Sequence, residues 1–99
     1  MLTEKDYCDY DTSHELWIMG LEPEAYYDGP LILLYEAQKW LREEIGILLQ
    51  PTYLELSDEW ICVLRDKNKR HGYSAQKQKD YESALLEGIK ETIKILKKK

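Results

Sequence analysis

Leu33–Gly46, LLYEAQKWLREEIG, decides the fold. Leu34, Ala37, Leu41 and Ile45 fall on one helical stripe, Trp40 flanks it, and Gln38, Arg42 and Glu43 face away. Gly46 ends the pattern, since glycine adopts the left-handed turn that closes a helix at little steric cost. No Ser, Thr, Asp or Asn stands at the start, so that end frays or is capped from elsewhere in the fold. Directly after the glycine, Ile47–Leu56 reads as a strand, with Ile47 and Leu49 on one parity and Leu54 and Leu56 on the other. Pro51 lies between them and cannot donate to a ladder, which predicts an edge position or a bulge that resets the alternation. Ser57–Glu59 is the expected turn and Trp60–Arg65 the partner strand. Trp60, Cys62 and Leu64 share one face and Ile61 and Val63 the other, as in a central strand covered partly on both sides.

The helical pattern returns in Asp80–Leu96. Asp80 is its predicted cap, and Tyr81, Leu85, Ile89, Thr92 and Leu96 form its inward stripe. Gly88 interrupts this helix at a cost of ~1 kcal/mol against alanine, which predicts a neighbouring backbone or ring lying close against it. Lys94 and Lys97–Lys99 suit the negative end of the helix dipole. Upstream, Thr12 and Glu15 fit a capping box for a short helix through Leu16, Trp17 and Met19, stopped by Gly20. Glu22–Pro30 is a turn-rich link with a brief extended piece at Tyr26 and Tyr27, and Asp66–Gly72 is a charged loop. Tyr73–Gln76 is a candidate third strand.

The expected fold is therefore α+β: a small antiparallel sheet of two or three strands packed with helices, in the order α-α-β-β-(β)-α. Leu41, Ile45, Ile61, Val63, Leu85 and Ile89 form its expected core. At 99 residues the chain reads as one domain. An acidic, tyrosine-rich segment with a short helix spans 1–30, and a helix-hairpin-helix core spans 33–96. Hydrophobic residues at 43% and charged residues at 33% describe an ordered globule rather than a disordered tail. No run approaches the ~20 apolar residues of a membrane helix, and the acidic start is unlike a signal peptide, so a cytoplasmic setting is expected.

The residues that carry chemistry elsewhere are poorly arranged for it here. His14–Glu15 lacks the second histidine a zinc helix needs at i, i+4. Cys62, with His71 as base, would be a nucleophile buried in an apolar strand, and Cys8 has acidic neighbours that oppose a thiolate. Two cysteines 54 positions apart form neither a CxxC pair nor a disulfide scaffold. Glu43 and Glu44 point ~100° apart on a helix. Asp6, Asp9, Asp11 and Glu15 lack the glycine turn and terminal glutamate of a calcium loop. The five glycines are scattered and make no phosphate cradle. No enzymatic activity, cofactor or metal is expected.

Met1–Asp11 (MLTEKDYCDYD), Tyr35–Gly46 (YEAQKWLREEIG) and Asp80–Glu91 (DYESALLEGIKE) together resemble one family. Its members are small uncharacterised proteins of gut Bacteroidetes genomes, phages and mobile elements, with the same segments in the same order. The resemblance implies a bacterial, cytoplasmic, mobile-element origin, and it brings no activity and no site residues. Leu33 departs from it, standing where family members carry a threonine helix cap.

Charge divides the chain and gives two function classes. Residues 1–50 hold 11 acids and 3 bases, a net of −8, while residues 51–99 hold 8 acids and 11 bases, a net of +3. Tyr7, Asp9, Tyr10, Asp11, Tyr26, Tyr27 and Asp28 form a candidate protein-interaction surface, in which carboxylates steer a basic partner and tyrosines supply contact area. A non-enzymatic interaction or regulatory role follows, and the split charge also permits self-association. The alternative is a nucleic-acid-binding module. Double-stranded RNA-binding domains run α-β-β-β-α with basic residues opening the last helix, and Lys67, Lys69, Arg70, Lys77 and Lys79 would be the phosphate contacts. The net charge of −5 and the acids Asp80 and Glu82 at that helix start weigh against it.

Overall fold

The computed structural model describes residues 6–21, 31–66, 72–74 and 76–98. Among them the chain forms three helices and a three-stranded antiparallel sheet. They run α1 (Tyr10–Ile18), α2 (Leu34–Trp40), a π-helical turn (Leu41–Ile45), β1 (Ile47–Leu54), β2 (Glu59–Asp66), β3 (Gly72–Ser74) and α3 (Tyr81–Lys97). The expected α+β class and element order hold, and the third strand forms at Gly72–Ser74. The Glu22–Pro30 link, with Tyr26, Tyr27 and Asp28, and the loop residues Lys67, Lys69 and Arg70 lie outside the described residues.

The sheet order is β1-β2-β3, so β2 is central and β1 is an edge. β1 and β2 pair without interruption from Ile47↔Asp66 to Leu54↔Glu59, with Pro51 opposite Cys62. Of the two positions expected for Pro51, the edge is realised and the bulge is not. The alternation never resets: Leu54 faces the other side of the sheet, and Leu56 lies in the turn, fully exposed.

The helices pack on the face that carries Leu49, Cys62 and Leu64. These three are buried, as are Leu41, Leu85 and Ile89. Half of the expected core is corrected. Ile61 and Val63 share the opposite parity and remain half-buried on the face away from the helices. Their β-branched character reflects strand preference rather than burial. Ile45 is 37% exposed because the helix widens into the π turn at Leu41. Each residue there advances by a smaller angle, which carries Ile45 off the Leu34–Ala37–Leu41 stripe.

The helix ends follow local chemistry. Gly46 sits at φ 88° and its N–H bonds the Leu41 carbonyl at 2.8 Å. Gly20, at φ 114°, closes α1 as expected: its N–H bonds Trp17 O, and the next N–H, from Leu21, reaches back to Leu16 O. The start of α1 is earlier than the capping box predicts. Asp9, not Thr12, is the cap, and its carboxylate accepts the Thr12 N–H at 2.8 Å. Asp80 caps α3 as expected, accepting from the Ser83 N–H at 2.8 Å. Leu33 provides no side-chain cap for α2, as the lack of Ser, Thr, Asp or Asn at that end predicts.

Gly88 lies against a side chain rather than a backbone or ring. A methyl group there would sit 3.0 Å from Cys62 Cβ and closer still to its sulfur. The absence of a side chain at position 88 is what lets α3 lie directly on β2.

Candidate functional site

The N-terminal segment is built from the inside. Tyr7 bridges to Leu33, and the Cys8 N–H bonds the Ile32 carbonyl at 2.8 Å. Ser13 Oγ accepts the Ile32 N–H at 3.0 Å. These contacts tie residues 6–8 and 31–33 together beside α1. Tyr7 and Cys8 are buried as a result. Burial, then the adjacent Asp9 carboxylate, pushes the Cys8 thiol up to about 12, and burial pushes Cys62 up to about 11. Both thiols are therefore held protonated and poorly nucleophilic at neutral pH.

Asp9 has two partners. It caps α1 and also meets Lys90 Nζ of α3 at 3.0 Å. Burial acts to raise its pKa, but the hydrogen bonds from Thr12 and Lys90 outweigh that, and the carboxyl stays below its ordinary range. Nearly two helix turns further on, Glu15 meets Lys97 Nζ at 2.8 Å. Two ion pairs thus clasp α1 to α3, and Leu16 of α1 is buried. A shallow cleft of about 240 Å³ lies along this seam, lined by Asp9, Asp11, Glu15, Lys90, Ile93 and Lys94. Opposite charges line it in alternation, leaving no single-sign pocket for a charged ligand.

The opposite face of α1 carries the larger apolar surface. Tyr10, His14, Trp17 and Ile18 occupy positions i, i+4, i+7 and i+8, one continuous stripe on a helix. Tyr10 is 63% exposed, Trp17 57% and Ile18 63%. The Tyr10 and His14 rings lie parallel with centroids 6.4 Å apart, and His14 approaches Trp17 at 6.3 Å. The face turned toward the protein, by contrast, is Thr12, Ser13 and Leu16. Asp11 stands exposed at the margin of the stripe, and α1 contains no Lys or Arg.

The predicted interaction residues therefore separate. Tyr10 and Asp11 are on the open surface, Tyr7 is in the core, and Asp9 is engaged in the cap and the clasp. The capping-box start groups Trp17 with Leu16 and leaves His14 and Ile18 unconnected to Tyr10. The missed signal is the 4-3 spacing from Tyr10, legible only when the helix is started at Asp9.

Of the candidate phosphate contacts, Lys77 and Lys79 are among the described residues. Lys77 and Lys79 are exposed on either side of Gln78, whose backbone pairs with Trp60 through bonds of 2.6 and 2.7 Å. Tyr53, Trp60 and Tyr81 form an aromatic row there, with centroids 5.3 and 5.5 Å apart. Among the described residues no group of His, Cys, Asp or Glu is arranged to hold a metal ion, and no helix is long and apolar enough to cross a membrane. Compared with known proteins, the chain matches no family model, no curated protein and no solved structure.

Proposed function

We propose that this chain is a non-enzymatic protein-interaction module that regulates a partner by docking the outward stripe of α1 on it. The observation that carries the reading is the inverted amphipathicity of that helix: Tyr10, His14, Trp17 and Ile18 face solvent while Thr12 and Ser13 are buried. A contiguous exposed aromatic face on a helix is a recurring mode of groove recognition. Tyrosine and tryptophan also supply contact area at low entropic cost, as interface anchors do. The family resemblance adds the setting, a bacterial cytoplasm and a mobile element.

The test is co-purification from the native host with the intact chain as bait, beside a Tyr10→Ser/Trp17→Ser variant of unchanged melting temperature. Loss of the captured partner by the variant supports the reading, and equal capture by both refutes it.

A second reading, nucleic-acid binding, is favoured by one observation: α2-β1-β2-β3-α3 is the order of a double-stranded RNA-binding domain. Its chemistry is weaker. The first turn of α3 holds Asp80 and Glu82, and the Asp80 carboxylate already takes the Ser83 N–H that would face a phosphate. The β1–β2 turn adds Glu55 and Asp58. Titration with duplex RNA at physiological salt is expected to show nothing tighter than ~10⁻⁵ M. A sub-micromolar complex that salt or charge reversal at Lys77 and Lys79 abolishes would reverse the ranking.

A further inference from the structure

We infer that the open face of the sheet is a self-docking surface, on which a second copy of this chain packs face to face with its strands reversed. The helices pack on the side that carries Leu49, Cys62 and Leu64. By strand alternation the other side presents Leu48 beside Arg65 at one end and Leu54 beside Glu59 at the other. Between them Gln50 lies beside Val63, and Thr52 beside Ile61. None of these eight residues is buried. The occupant follows from how this face maps onto itself. A two-fold axis lying between two such faces can run along the strands or across them. An axis along the strands would set Arg65 on Arg65 and Glu59 on Glu59. An axis across them reverses the strands. Positions 48–54 then turn about 51 and positions 59–65 about 62, and Pro51 and Cys62 are register partners, so one axis serves both strands. Arg65 of one copy meets Glu59 of the other at both ends, Leu48 meets Leu54, Val63 meets Ile61, and Gln50 meets Thr52. Neither Arg65 nor Glu59 has an ion-pair partner among the described residues, which leaves both charges to pair between copies. One cation and one anion at opposite ends of an apolar face match no single-sign partner. They match the same face reversed.

The experiment is sedimentation equilibrium on the full-length chain. Two eight-residue strands at about 3.4 Å per residue give a footprint at the low end of specific interfaces, so the range runs from about 10 μM to about 1 mM. The parent is expected to pass from 11.8 kDa toward twice that mass across it. Arg65→Glu and Glu59→Arg should each weaken the dimer at least about tenfold, because each sets like charges over one another at both ends. Mixed in equal amounts, the two variants should form a heterodimer within about threefold of the parent's affinity, since every end then holds opposite charges. Recovery on mixing also shows that the single variants are folded. A parent that stays at the monomer mass throughout overturns the inference. A dimer that ignores both reversals overturns it too, and places the contact at the β1 edge or on α1. Two weakened variants that fail to recombine overturn the reversed arrangement and the inference with it.

Discussion

Gly88 shows how far one residue reaches. Helix propensity alone says that alanine there should gain ~1 kcal/mol, yet the added methyl would enter the space of Cys62 Cβ and Sγ, fully buried in β2. Gly88→Ala is therefore expected to lower the melting temperature, and pairing it with Cys62→Ala should recover part of the loss. An alanine variant more stable than the parent would mean that α3 shifts freely over the sheet. The same buried sulfurs set a pH dependence. Their folded-state pKa values are raised, so the stability tied to protonated thiols is complete below the ordinary thiol range. It is lost as pH climbs from about 9 toward about 11 at Cys62 and about 12 at Cys8. Within that window each thiol should cost up to about 1.4 kcal/mol per pH unit. Denaturation of Cys8→Ala and the parent at several alkaline pH values measures the difference in slope; parallel curves would show that the thiol ionises equally well folded and unfolded. Position 88 was marked in the sequence by its breach of propensity. What fills the space was not, since no local pattern says which strand residue lies under a helix.

The edge strand illustrates what an element's sequence can and cannot declare. Trp60 exchanges its backbone bonds with Gln78, away from β1, so its register partner Tyr53 points its own N–H and C=O outward. By alternation, so do Leu49 and Pro51. The outward Leu49 carbonyl is taken by Gln38 Nε2 at 3.0 Å, and Pro51 has no N–H to offer. These two residues close the middle of an edge that would otherwise recruit another strand. Pro51 was readable as an edge signal from its chemistry alone. Gln38 was not: on the helix pattern it is one more outward polar residue, and its role exists only once α2 folds beside β1. A Gln38→Ala/Pro51→Val variant is expected to reopen the edge and form species larger than the parent's by light scattering, while each single change has a smaller effect. A double variant no larger than the parent at high concentration would show that the edge is guarded by other means. The π turn at Leu41–Ile45 was also invisible beforehand, because a regular 3.6-residue period fits its sequence well. The structure departs from that period where Gly46 must turn the chain into β1.

At the scale of the whole molecule, the two faces of α1 differ in burial, and mutations on each face should separate packing from the proposed docking. The inner face is structural: Leu16 is fully buried, Ser13 anchors residue 32, and the Asp9–Lys90 and Glu15–Lys97 pairs clasp the helix to α3. Pairs this open to solvent each contribute no more than about 1 kcal/mol and weaken with salt, so the apolar and hydrogen-bonded contacts carry most of the docking of α1. The outer-face residues Tyr10, Trp17 and Ile18 are each more than half exposed. Tyr10→Ala and Trp17→Ala are therefore expected to change unfolding free energy by less than about 0.5 kcal/mol, the range of ordinary surface changes. Leu41→Ala, at the fully buried centre, should cost ~2–5 kcal/mol. Tyr7→Ala, although it belongs to the same tyrosine-rich segment by sequence, should fall with the core group. Chemical denaturation of these four variants gives the ordering directly. If Trp17→Ala proves as costly as Tyr7→Ala, the stripe is packed against the protein's own chain, and its apolar character is explained by folding rather than by a partner. If the two separate as expected, selection for stability does not account for Trp17, and an external contact is left as the physical reason for placing an indole in water.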